Sequence, residues 1–276
     1  MSTTIISEAE FQALRDIIRS RFGIFYDDTK LFLLQSRLQT RLLKCRVSTF
    51  TEYHRFLTSS PERETEWGEL ASVLTNNETY FFRERSQLDV LVSDVVDEAL
   101  KTNGGRLRIW SSASSTGEEP YTIAMMLREG RRLQTSSITI RATDLSPRAL
   151  DRAATAFYRE LSFRATPPEM VQKYFRPFQG GFFLNDDVKQ MVDFSRINLL
   201  DERAVAAMGI HDAIFCRNVL IYFDKPTQKR VVEAFAKALR PGGFLFLGHA
   251  ESIMRITDLY EPLVTPKAIY YRRKAD

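Results

Sequence analysis

Over the first 75 residues, apolar positions recur three and four apart. Phe11, Leu14, Ile18 and Phe22 fall on one face of a predicted helix that Ser7 would cap and Gly23 would stop. Leu31, Leu34, Leu38 and Leu42 mark a second helix, and shorter helical patterns run from Phe50 to Leu57 and from Glu64 to Leu74. No strand-like alternation interrupts them, so residues 1–75 are predicted to form an all-α N-terminal domain.

The pattern then changes. Residues 76–90 read as a linker, because Asn76 and Asn77 are turn formers and the helical string LDVLVSDVVDEAL resumes only afterwards. Leu107, Ile109 and Trp110 suit a short buried strand, Ser111 to Gly117 turn without bulk, and Glu118, Glu119 and Pro120 open a helical pattern over Tyr121 to Leu133. Ile138 to Thr143 form a second strand pattern ending at Asp144, followed by a helix over Arg148 to Ala156. A third strand–loop unit, DAIFCRNVLIYF, starts at Asp212 and leads into a helix over Pro226 to Leu239 with Asp224 as a cap. The PGG at 241–243 is expected to end that helix before the strand FLFLG. Repeated strand–turn–helix units predict an α/β Rossmann-like sheet over residues 91–276. Between Leu161 and Asn198, the Gln179-Gly180-Gly181 turn, FFL and the strand-like MVDFSRI suggest a small antiparallel β insert at about 161–196.

The first turn carries the most chemistry. A dinucleotide fold presents a bare helix N-terminus to pyrophosphate, whereas two carboxylates would repel one. A cationic nucleoside without phosphate, such as S-adenosylmethionine, suits Glu118 and Glu119 better; the alternative is that both only complement the helix dipole. Asp144 stands one βαβ step later, where an acid commonly accepts ribose hydroxyls, although capping the next helix is an equally plain role for it.

Composition narrows the class. At 276 residues, with 44% hydrophobic and 27% charged, the chain suits a soluble globular protein of two units. No apolar run approaches the ~18 residues of a membrane helix, and the N-terminus lacks a signal-peptide pattern. Cys45 and Cys216 make neither a disulfide framework nor a metal cluster, so a cytoplasmic protein without metal is expected. His54, His211 and His249 show no nucleophile or ligand spacing. In residues 1–75 ten Lys/Arg balance ten Asp/Glu, yet Lys30, Arg37, Arg41 and Lys44, spaced 7, 4 and 3, fall along one helical face opposite the leucines. A solvated outer face and a docking stripe are both consistent with that spacing.

The strings TNNETYFFRE, WSSASSTGEEPYTIAM, ATDLS, INLL, FCRNVLIYF and LGHAES, in this order, resemble the chemotaxis receptor methyltransferase (CheR) family across nearly the whole chain. The resemblance implies a class I methyltransferase sheet with a β-subdomain. It also implies S-adenosylmethionine as cofactor and methyl transfer to glutamate side chains of chemoreceptor cytoplasmic helices. It assigns cofactor and active-site contacts to Asn77, Thr79 and Arg83 through the pattern N-x-T-x-x-x-R. Tyr222 is placed at the substrate, Asn198, Leu199, Cys216 and Arg217 around the cofactor, and Asn218 is an adjacent polar candidate. A glutamate of ordinary pKa ~4.3 is already ionised near neutral pH, so no general base is required. Arg83 and Tyr222 are therefore the orienting, catalytic candidates. The basic stripe would steer a Glu-rich receptor helix. The short central loop of the insert predicts no tethering to a receptor's C-terminal peptide. Two other readings remain. A nucleic-acid methyltransferase would exploit the pI of about 9.0, but NVLIYF lacks the Asn/Asp-Pro-Pro-aromatic pattern of base amino-group methylation, so nucleic acid is not expected as a partner. The other is a non-enzymatic, cofactor-sensing adaptor.

Overall fold

The computed structural model describes residues 4–102, 104–132 and 137–275. Four helices build the N-terminal domain: α1 (Glu8–Phe22), α2 (Leu31–Cys45), α3 (Phe50–Ser59) and α4 (Arg63–Leu74). Ser7 and Glu10 form a reciprocal capping box at the start of α1, and Gly23 leaves the helix at φ 75°, where a side chain would be strained. The apolar faces predicted from spacing meet in one core, where Leu14, Ile18, Leu34 and Leu38 pack with Phe50, Tyr53 and Leu70.

The basic stripe does not form as expected. Arg41 turns inward, 6% exposed, with its guanidinium forked on Glu66 (Nε–Oε1 2.9 Å, Nη2–Oε2 2.5 Å) and Nη1 3.2 Å from Glu69. Arg37 is half-buried, donating to the Leu74 carbonyl and to the Tyr26 hydroxyl. Only Lys30 and Lys44 of the four are exposed, and Lys30 lies 3.4 Å from Asp27. Helical spacing fixes a face but not the partner facing it; the acids of α4 claim this one.

The second half of the predicted linker is already helical: α5 (Arg85–Val90) passes through a π-helical turn (Leu91–Val95) into α6 (Val96–Thr102). The strands are β1 (Leu107–Ser111), β2 (Ile138–Asp144), β3 (Phe157–Tyr158), β4 (Phe175–Phe178), β5 (Gly181–Leu184), β6 (Val192–Arg196), β7 (His211–Cys216), β8 (Leu239–Leu247), β9 (Tyr260–Val264) and β10 (Ile269–Arg273). Seven form one sheet in the order β6-β2-β1-β7-β8-β10-β9, parallel except for the antiparallel β10. The remaining helices are α7 (Glu118–Gly130), α8 (Pro147–Thr155), α9 (Pro168–Tyr174) beside β4, α10 (Asp186–Lys189) against α7, and α11 (Glu202–Ala207) packed on α12 (Lys225–Ala238). The predicted extension of α7 to Leu133 ends outside the described residues. Among the described residues, no helix is long and apolar enough to cross a membrane.

Two further boundaries differ from the sequence reading. MVDFSRI does not belong to the small insert: β6 pairs in parallel with β2, from Ile140↔Val192 to Asp144↔Arg196, as an edge of the main sheet. The insert's third strand is β3, giving the order β3-β5-β4, and short strands of alternating aromatics carry no mark of which sheet they join. The PGG sequence also lies within β8 rather than before it, since α12 stops at Ala238 and a register shift between His211 and Ala213 absorbs the irregular stretch. Phe81 of the linker is fully buried against the insert, its ring centroid 4.8 Å from Tyr158 and 5.0 Å from Phe175, so the aromatic pair Phe81–Phe82 is core while Tyr80 is half-exposed.

Candidate active site

Strand order reverses between β2 and β7 on either side of β1, and an open α/β sheet places its ligand crevice outside the carboxyl ends at such a point. There a cleft encloses about 1030 Å³, including space open to solvent. Its far wall comes from the helical domain and linker. Phe22 and Ile24 line it, Ile24 forms a bridge with Phe223, and the Phe25 N–H donates to the Tyr222 carbonyl at 2.9 Å. Arg19 pairs with Asp224, tying α1 to the cap of α12.

Asp144, 6% exposed at the end of β2, accepts the Ser146 N–H on Oδ1 and the Ser115 N–H on Oδ2, both at 2.8 Å. Burial lifts its carboxyl above the usual aspartate range, and the backbone donors only partly offset this. Ser146, not Asp144, caps α8 by accepting from Ala149 N–H. Asp144 is therefore free of the plain capping role and lines the cleft.

The two turn glutamates part company. Glu119 lines the cleft, accepting the Ser111 hydroxyl at 2.7 Å and Arg217 Nη1 at 3.0 Å. Glu118 points away, accepting the hydroxyls of Thr116 (2.6 Å) and Ser162 (3.1 Å) beneath the insert, and burial raises its pKa. Consecutive residues at a helix start lie about 100° apart, so both cannot face one ligand. Glu118 is thus not brought to the cleft. Nor is Cys216, which is fully buried in the core beside Leu245 and Leu247, its thiol pushed up by burial.

Arg217 lines the cleft but is spoken for. Its side chain, 2% exposed, bridges Glu119 and Glu84 (Nη2–Oε2 3.1 Å) and also donates to the Arg83 carbonyl at 2.5 Å. Burial pushes Glu84 up, but the Arg217 guanidinium outweighs it and holds the carboxyl below its ordinary value. Sequence reasoning missed Glu84, because an acid beside two arginines in a linker reads as exposed; its φ of 51° turns it inward.

The rest of the predicted set meets in the same place. Asn77, Thr79, Asn198, Leu199, Asn218 and Tyr222 all line the cleft. Asn198 also joins the domains, donating from Nδ2 to the Arg21 carbonyl at 2.6 Å. Arg83 lines the cleft with its guanidinium over the Tyr80 ring at 5.8 Å and Nη1 donating to the Glu78 carbonyl; among the described residues it has no carboxylate partner. Lys30, just before α2, and Lys44, near its end, lie outside the cleft lining.

The donor set fits S-adenosylmethionine. Ser112 to Ser115 present no bulk, the buried Ser114 hydroxyl has no partner among the described residues, and Asp144 and Glu119 offer acceptors for hydroxyl and amino groups. Of the two cleft arginines, Arg217 is already neutralised by two acids, and Asp144 and Glu119 would repel a phosphate placed beside them. A Rossmann-like sheet with acids at its switch point and a turn without bulk suits a class I methyltransferase.

The comparisons with known proteins then place the chain. It matches the family described as "CheR methyltransferase, SAM binding domain" over residues 77–269 and that described as "CheR methyltransferase, all-alpha domain" over 9–75. The chain belongs to the CheR methyltransferase family, and S-adenosylmethionine is its cofactor. It is 38% identical to chemotaxis protein methyltransferase 2 of Vibrio cholerae, covering 94% of this chain and 91% of that one. It is 36% identical to the chemotaxis protein methyltransferase of Klebsiella aerogenes (92% and 87%) and 34% identical to that of Salmonella typhimurium (91% and 86%). Its activity is accordingly S-adenosylmethionine-dependent methylation in chemotaxis.

Proposed function

We propose that this protein esterifies glutamate side chains of chemoreceptor cytoplasmic helices, forming glutamyl methyl esters. The observation that carries the reading is Arg83, a cleft guanidinium without a carboxylate partner among the described residues, in a cleft that Tyr222 also lines. S-adenosylmethionine supplies an electrophilic methyl group when bound. Asp144 and Glu119 would hold its polar groups, with Asn77, Thr79, Asn198, Leu199, Arg217 and Asn218 around it. Arg83 would receive the incoming carboxylate in its planar fork, and the Tyr222 hydroxyl would fix the orientation of the reacting oxygen. The carboxylate arrives ionised, so neither residue has to move a proton. Arg83 must orient without quenching the nucleophile, and among the described residues its guanidinium has one hydrogen bond, to the Glu78 carbonyl, which leaves the rest of the fork available.

The receptor substrate, a cytoplasmic setting and the exclusion of nucleic acid belong to this same reading. With Arg41 buried, docking falls to Lys30, Lys44 and the half-buried Arg37. The β4–β5 connection is only the Gln179-Gly180 turn, which supports the absence of a tail-peptide tether; measurable binding of a receptor C-terminal peptide would refute that part.

The test is incubation with methyl-labelled S-adenosylmethionine and receptor cytoplasmic fragments. Label should enter the fragment and leave as methanol in mild base, and Arg83→Ala should abolish incorporation while cofactor binding persists. Alkali-stable label, or label in RNA with salt-sensitive binding, would reject the reading. Cofactor binding with no transfer to any fragment would favour an adaptor.

A further inference from the structure

The loop that carries Asn218 and Tyr222 has its carbonyls held from outside, that of Tyr222 by the Phe25 N–H and those of Leu220 and Phe223 by Gln228 Nε2, but its N–H groups at 218, 219 and 221 take no partner from the loop itself. After β7 the chain enters the left-handed region at Asn218 (φ 59°), and the 3₁₀ turn Leu220–Tyr222 lacks any local side-chain cap. These three donors would otherwise be orphaned at the edge of the cleft, whereas the Tyr222 and Phe223 N–H groups bond within the turn. The three are taken up by one carboxylate from the β8–β9 connection. Glu251 Oε2 accepts the N–H groups of Asn218 (2.8 Å) and Gly248 (2.7 Å), while Oε1 accepts those of Val219 (2.8 Å) and Ile221 (3.2 Å). The approach is so close that a Cβ on Gly248 would lie 2.7 Å from Asn218 Nδ2 and 2.9 Å from Glu251 Oε2.

We propose that Glu251 is a positioning residue for methyl transfer, fixing the loop 218–222 so that Tyr222 faces the reacting groups. This rests on the role given to Tyr222 above. Glu251 itself lies outside the cleft lining, so it acts through the backbone it holds. Both oxygens are needed: each takes two N–H groups, and no neutral side chain of this size offers four acceptor sites without a donor. Asp144 and Glu119 reach the cleft from other elements, so loosening this loop should affect turnover more than cofactor affinity.

Glu251→Gln tests the idea, since its amide would point two hydrogens at two N–H groups in nearly unchanged volume. The expected result is a fall in kcat of at least about tenfold, with KM for S-adenosylmethionine within about threefold. Amide exchange should quicken at Val219 and Ile221 but not in β1 or β2. Glu251→Asp should recover part of the turnover by restoring two oxygens. Wild-type kcat in Glu251→Gln, or a loss of turnover with exchange raised throughout the sheet, would overturn the proposal. Tyr222→Phe, measured alongside, separates the two claims: full activity in that variant would refute the role of Tyr222, whereas an inactive Tyr222→Phe beside an unimpaired Glu251→Gln would refute only the inference about Glu251.

Discussion

Arg217 Nη1 lies 3.0 Å from Oε2 of Glu119, and the guanidinium's other arm reaches Glu84 and the Arg83 carbonyl. One buried cation therefore ties the turn after β1 to the linker that carries the Arg83 side chain. Removing one partner of a buried pair strands the other charges, here two carboxylates. Arg217→Ala is expected to cost about 3 kcal/mol in denaturant unfolding and to weaken both cofactor and receptor use. Arg217→Lys should restore charge without the fork and recover only part of the loss.

Glu118 and Glu119 provide a paired comparison. Glu119→Gln removes a charge that faces the cleft and should raise the dissociation constant for S-adenosylmethionine by about tenfold, the effect of one charge-assisted hydrogen bond. Glu118→Gln removes a charge held above its ordinary pKa by burial, under Thr116 and Ser162. Its affinity should stay within about twofold and its stability should be unchanged or higher, because a neutral amide is cheaper to bury. Titration calorimetry on the two variants checks both; equal losses would contradict the division of roles.

Much of this was legible beforehand because local rules and tertiary packing agree. Ser7, Gly23, Asp224 and the apolar spacings of α1 and α2 mark their elements correctly, and the turn from Ser111 to Gly117 followed by acids points to the cleft and its ligand class. What stayed hidden depends on long-range partners. Nothing in the spacing of Arg37 and Arg41 tells that α4 supplies the Leu74 carbonyl to the first and Glu66 to the second. Nothing in GEE tells which acid turns inward, and nothing in VDFSR tells which sheet will accept it. The carboxylate of Glu251 meets amides some thirty residues away, a relation no local pattern encodes.

The Arg41–Glu66 pair makes a prediction about acid stability. Burial raises the Glu66 pKa, but hydrogen bonds from Arg41 and Tyr53 outweigh it, leaving the folded-state value below the ordinary one. Such a group adds stability that is present above its unfolded pKa and is lost as pH falls through the folded value. The helical domain should therefore weaken in acid, and Arg41→Ala should destabilise it by about 3 kcal/mol at neutral pH. If Arg41 were instead a docking residue, its replacement would change receptor KM and leave the thermal midpoint in place; Lys44→Ala should show that pattern, with a salt-dependent change of a few-fold at most.

Asp144 titrates in the opposite sense. Burial raises its folded-state pKa above 3.8, so the ionised form costs the free protein stability at neutral pH, and acidification through the raised value relieves that cost. In the role proposed for Asp144, cofactor binding would need the ionised form, because the lone pairs left after Ser115 and Ser146 would accept hydroxyl protons. Affinity for S-adenosylmethionine should accordingly decline as pH is lowered from neutral, beginning above the range of an exposed aspartate. Calorimetric titration from neutral pH downward, with circular dichroism on the same samples, separates the effects: affinity should fall while the fold is intact. Asp144→Asn should bind weakly with little pH dependence. A pH-independent affinity in the unaltered protein would remove Asp144 from the binding role.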